Sequence, residues 1–122
     1  MGAIKEDKAR EHRIAMEVVV DAHDESERAM GWYYYLEGKL HFPFKAECVA
    51  KRAISPLAKG ETVEIVKMAP EEECEREMFV NIRWQKRTLA VPLSQLMGLD
   101  VDYETRQALY DWHYWVERGY EF

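Results

Sequence analysis

Apolar and charged positions divide the chain into stretches of different period. Residues 1–13 are mostly charged and small, and predict a surface helix with a frayed start. Residues 14–20 (IAMEVVV) are apolar enough to be buried. Ile14 and Val18 stand one helical turn apart, whereas Val18, Val19 and Val20 are β-branched and stiff at χ1, which favours a strand. The expectation is a helix carried in from the N-terminus. Asp24 or Ser26 then sits where an N-cap belongs, with Glu25 and Glu27 in the first turn, where the helix dipole favours negative charge. That helix should reach about Lys39. Met30, Tyr33, Tyr34 and Glu37 lie at helical spacing, and Trp32, Tyr35 and Leu36 widen the stripe into one that reads as core packing.

After Pro43 the period changes from helical to alternating. Residues 45–51 (KAECVAK) read as a half-buried strand, residues 55–61 (SPLAKGE) as a turn, and residues 62–67 as a second strand with Val63 and Ile65 on one face or Val66 joining the core. Residues 78–84 (MFVNIRW) and 89–93 (LAVPL) predict two more strands, joined by Gln85, Lys86, Arg87 and Thr88. Asp102 is the expected cap of a last helix, from about Tyr103 to Arg118, with Ala108, Leu109, Trp112, Trp115 and Val116 on its apolar face. Gly119 is placed to end it. The fold class that follows is α+β: a small antiparallel SH3-like β-barrel flanked by N-terminal helices and a C-terminal helix, in a single domain spanning residues 1–122.

Composition narrows the choice of partners. The chain carries 23 carboxylates against 17 Lys and Arg, a formal charge of −6. That sign disfavours nucleic acid and anionic lipid, both of which need a basic face. It is compatible with cations, basic partners or plain solubility. Two cysteines without CxxC spacing, Cys48 and Cys74, suggest free thiols in a reducing compartment. No apolar run is long enough to span a bilayer and no signal-peptide core opens the chain, so a cytoplasmic protein is expected.

Enzyme chemistry has little support. HExxH, GxSxG, P-loop and GxGxxG motifs are all missing, and each of the four histidines is isolated in sequence. The dense feature is instead a run of carboxylates. Glu71, Glu72, Glu73, Glu75 and Glu77 put five acids into seven residues, directly after Pro70. Like charges this close repel, and a counter-ion relieves the repulsion. Ca²⁺ takes about six to eight oxygen ligands, and a carboxylate can supply two. From composition alone, a solvated acidic loop or short helical turn started by Pro70 is the better account. Asp100 and Asp102, with Glu104 and Asp111, occupy positions 1, 3, 5 and 12 of an EF-hand count, but position 6 is Thr105 and not Gly, and the end of the loop would fall inside a helix. An EF-hand is therefore rejected. Asp21, Asp24 and Glu25, beside Glu27, form a third cluster at the junction of the N-terminal helices. These residues serve equally well as caps.

Four segments taken together resemble a known family: residues 29–36 (AMGWYYYL), 53–57 (AISPL), 68–75 (MAPEEECE) and 111–115 (DWHYW). Their order is similar to that in the small bacterial calcium-binding proteins first described in cyanobacteria, the CcbP type, over roughly residues 12–122. The resemblance implies an acidic cytoplasmic protein that binds Ca²⁺ without EF-hands, for calcium buffering or sensing. The acidic loop Glu71, Glu72, Glu73 and Glu75 is the best match to the family pattern. Asp100, Asp102, Asp21, Asp24 and Glu25 join the expected metal ligands on charge density alone. The alternative is a protein-interaction module that uses the SH3-like barrel and the aromatic helix, with Trp84, Trp112 and Trp115 as anchors.

Overall fold

The structure, a computed structural model, describes residues 5–122; the first four residues of the expected N-terminal helix lie outside the described residues. Helix α1 (Lys8–Arg13) starts on Asp7, whose side chain accepts from the Arg10 amide. It passes directly into a π-helical stretch, Ile14–Val18, closed by a bond from the Val19 amide to the Ile14 carbonyl at 3.0 Å. The apolar run is thus helical, as expected, but wider than an α-helix. Helix α2 (Glu25–Lys39) is capped by Asp24, which accepts from the Glu27 amide, and Glu27 in turn accepts from the His23 amide at 2.6 Å. These two bonds satisfy orphan donors at the helix start. Gly31 is where α2 meets the π-helical stretch. A Cβ there would lie 2.3 Å from the Val18 carbonyl oxygen, so only glycine permits this approach.

Five antiparallel strands follow: β1 (Phe44–Cys48), β2 (Thr62–Met68), β3 (Phe79–Trp84), β4 (Arg87–Pro92) and β5 (Leu96–Leu99), in the order β4-β3-β2-β1-β5. The period-2 pattern lands as expected in β2, where Val63 and Ile65 are both buried. The β3–β4 link is shorter than the sequence predicts. Gln85 and Lys86 alone make the turn, both with positive φ (49° and 67°), so Arg87 and Thr88 already pair with Trp84 and Arg83. A two-residue turn of this hand is normally signalled by Asn-Gly, and Gln-Lys gives no such signal. Strand β5 was not expected. It pairs with β1 from Lys45↔Leu99 to Cys48↔Leu96, and its Gly98 lets the last helix close in: a Cβ there would meet Val101 at 2.9 Å and Leu109 at 3.1 Å. Strands β4 and β5 are the two ends of the sheet order, so the sheet is an open five-stranded one and the expected barrel is not closed.

Helix α3 (Tyr103–Glu117) begins on Asp102 and stops at Gly119, whose φ of 83° lets the Tyr120 amide reach back to the Trp115 carbonyl at 3.2 Å. Helices α2 and α3 pack through tryptophans. The Trp32 and Trp112 rings meet edge to face at 5.1 Å, and Trp115 lies 5.5 Å from Trp32. Trp112 is 1% exposed, which places it in the core rather than on an interaction surface.

One buried carboxylate ties the chain's two ends together. Asp111 is fully buried on α3, yet it accepts from Arg10 Nη1 at 2.6 Å, from Arg13 Nη2 at 2.7 Å and Nε at 3.0 Å, and from the Tyr35 hydroxyl at 2.7 Å. Both of its oxygens are satisfied, which is the condition for keeping a charge out of water. Burial raises the Tyr35 phenol far above its ordinary range, so it stays a proton donor.

Candidate functional site

Glu71–Cys74 forms a 3-10 turn entered from Pro70, with the Glu73 amide bonded to the Pro70 carbonyl at 2.9 Å. One side chain anchors this turn. Cys74 is buried; its sulfur accepts from the Phe79 amide at 3.3 Å, and burial pushes the thiol up to about 11. With Cys74 turned inward, Glu71, Glu72, Glu73 and Glu75 are left exposed. The local composition therefore has a simple structural basis: one buried position and four solvated ones.

Two adjacent tyrosines of α2 hold the entrance to the turn. The Tyr33 hydroxyl donates to the Ala69 carbonyl at 2.7 Å, and the Tyr34 hydroxyl donates to Glu71 Oε2 at 2.5 Å. Tyr33 is buried, and burial raises its phenol to about 12. Tyr34 is 54% exposed, and its hydrogen bond to the Glu71 carboxylate raises its phenol.

These contacts draw two of the predicted clusters together. A groove of about 380 Å³ is lined by Glu25, Ser26, Ala29 and Met30 from the first turns of α2 and by Glu71, Glu72 and Glu75 from the acidic turn. Four carboxylates and a hydroxyl face it, and no Lys or Arg lines it. A larger neighbouring cleft of about 630 Å³ shares Glu25 and Glu75, but Arg28 and Arg76 also line it and offset its carboxylates. The smaller groove is the better place for a cation.

Four carboxylates offer at most about eight oxygens, and Ca²⁺ takes about six to eight. The groove is an open one: among the described residues, no three His, Cys, Asp or Glu side chains already stand together as a metal cage. Ligand side chains must therefore close on an ion, at the cost of their rotamer freedom. The α2 N-terminus adds a partial positive charge that opposes a cation, so the negative charge of several carboxylates is needed to outweigh it.

The other predicted ligands lie elsewhere. Glu73 belongs to the acidic turn but does not line the groove. Asp24 is committed to capping α2, and Asp21 sits in the preceding turn with a positive φ of 63°. Asp100 occupies a similar turn before α3, with φ 52°. Asp102 caps α3 through the Thr105 amide at 2.8 Å and also bonds His41 Nδ1; His41 Nε2 lies 2.7 Å from Glu104. Lys39 approaches the same Glu104 at 3.4 Å. His41 lies just past the C-terminal end of α2 and Glu25 at its start, and the 15-residue helix separates them by about 22 Å. The nine predicted residues therefore do not form one site.

Ser26, which lines the groove, and Tyr34, which reaches it only through its bond to Glu71, are residues that the sequence did not mark for a site. Ser26 reads as a cap, and Tyr34 is lost in a five-residue aromatic and aliphatic run. Only the direction each faces on α2 separates them from core and cap.

An acidic groove lined by no Lys or Arg has chemistry suited to a divalent cation, and the comparisons with known proteins give the family. Residues 12–116 match the CcbP family, described as "Calcium binding", and the chain belongs to that family. Among solved structures, the crystal structure of Anabaena CcbP is 42% identical, with each chain covered in full and a TM-score of 0.88. A structure described as a calcium binding protein in the calcium-binding form is 41% identical, again over the full length of both chains, with a TM-score of 0.87. No curated protein matches the chain.

Proposed function

We propose that this single-domain protein binds Ca²⁺ in the groove between the start of α2 and the acidic turn, and acts in the cytoplasm as a calcium buffer or sensor rather than as a catalyst. The observation that carries the reading is the meeting of Glu25 with Glu71, Glu72 and Glu75 on a groove that no Lys or Arg lines, in a member of a calcium-binding family. Glu25, Glu71, Glu72 and Glu75 supply the carboxylate oxygens, with Ser26 and backbone carbonyls or water completing the shell. Because the ligands are solvent-exposed and not yet closed on the ion, affinity is modest and falls with ionic strength. In this reading the sheet is an opened SH3-like arrangement, with β1 bridging β2 and β5, that serves to hold the acidic turn against α2. Titration calorimetry with Ca²⁺ against a Mg²⁺ background tests the proposal. Heat that saturates with Ca²⁺ supports it; no heat at millimolar Ca²⁺ together with an unchanged melting temperature overturns it.

A further inference from the structure

We infer that Tyr34 is a positioning residue for metal binding: its hydroxyl, bonded to Glu71 Oε2 at 2.5 Å, holds that carboxylate at the groove before an ion arrives. The inference rests on the groove reading above. Its basis is a division of labour between neighbours on α2. Tyr33 points into the core and fixes the backbone of the turn through the Ala69 carbonyl. Tyr34, with its ring 5.4 Å from that of Tyr33 and at right angles to it, stays at the surface and fixes a side chain two residues further on. A free Glu side chain samples many rotamers, and ordering it on binding costs affinity. A phenol that donates to one carboxylate oxygen removes part of that cost and leaves the other oxygen for the ion.

The test is a double-mutant cycle on the full chain with Ca²⁺ as the titrant, using Tyr34→Phe, Glu71→Gln and the pair. Tyr34→Phe alone should weaken Ca²⁺ binding about three- to tenfold, the cost of ordering one freed Glu side chain on binding, while the melting temperature without Ca²⁺ falls only by the small amount that loss of one exposed hydrogen bond allows. In the Glu71→Gln background, adding Tyr34→Phe should cost nothing further. NMR supplies a readout that a merely structural tyrosine would not move: the Tyr34 ring signals, identified by their loss in Tyr34→Phe, should shift along the Ca²⁺ binding curve. Unchanged or tighter binding in Tyr34→Phe overturns the inference, as does an equal loss with and without Glu71. Failure of the parent chain to bind Ca²⁺ overturns the groove reading itself, so the two failures are distinguishable.

Discussion

The two ends of helix α2 carry acidic clusters of similar sequence density and opposite fate. At its C-terminal end, Asp102 and Glu104 grip both ring nitrogens of His41, and Lys39 approaches Glu104. At its N-terminal end, Glu25 faces Glu71, Glu72 and Glu75 across a groove lined by no Lys or Arg. The first cluster has its counter-charges built in and also works as a helix cap. The second has none lining the groove itself, and Arg28 and Arg76 stand only on the adjoining cleft that shares Glu25 and Glu75, so an ion from solution is the direct relief for Glu71 and Glu72. Carboxylate count does not distinguish these clusters; the supply of local cations does. Asp111 marks the far limit of the first kind, a carboxylate wholly withdrawn from water because two arginines and a tyrosine satisfy it.

The largest expected effect probes that limit. Asp111→Ala leaves Arg10 and Arg13 facing a site with no anion, and should lower stability in urea denaturation by about 3–5 kcal/mol, the range for breaking a buried pair. Next comes the direct contrast between the helix ends. Glu25→Gln, Glu71→Gln, Glu72→Gln and Glu75→Gln together should weaken Ca²⁺ binding at least tenfold in calorimetry, about 1.4 kcal/mol or more. Asp102→Asn with Glu104→Gln should leave the affinity unchanged, and Glu73→Gln, in the acidic turn but off the groove, should fall close to the parent. A loss of affinity in the Asp102/Glu104 variant equal to that in the groove variant would erase the distinction.

The stability of the paired end should depend on pH in a direction that can be worked out. Hydrogen bonding to Asp102, and then to Glu104, raises His41 above its ordinary value of 6.5, and the Thr105 amide, followed by the bond to His41, lowers Asp102 below 3.8. A raised base stabilises the fold fully below its unfolded value and loses that contribution as pH rises through the folded value. A lowered acid contributes above its unfolded value and loses this as pH falls through the folded one. The clasp therefore works best between the two. The melting temperature of the parent should exceed that of His41→Gln at about pH 6 and approach it by about pH 9. The smallest effect is at the groove without metal: Glu72→Gln should raise apo stability by about a few tenths of a kcal/mol through relief of like-charge repulsion, where Asp102→Ala should lower the melting temperature through loss of the α3 cap. Denaturation of both variants in chelator compares the two signs.

Legibility in the sequence followed the range of the forces involved. An α2 cap at Asp24 or Ser26, Asp102 as the α3 cap, Gly119 as the end of α3, and the buried face of β2 were readable, because each depends on residues within a few positions. The Gln85-Lys86 turn and strand β5 were not. The first lacks the residues that favour positive φ, and the second is a strand because β1 offers it a ladder and α3 needs its glycine. Of the expected ligands, the acidic turn was visible as composition and Glu25 as one cap-region acid among several. That these two meet, while Asp100 and Asp102 stay at the other end of α2, depends on the packing of α2 against the Pro70 turn.

The sequence by itself determined the helices and their caps, most of the strands, the excess of negative charge and, through four ordered motifs, the family. Those properties are local or additive along the chain. The tertiary structure decided which charges are neutralised: Asp111 by Arg10 and Arg13 about a hundred residues away, Asp102 and Glu104 by His41, and the groove carboxylates by no cation lining it. Coulomb energy depends on distance in space and on exposure to water, and neither is a function of separation along the chain.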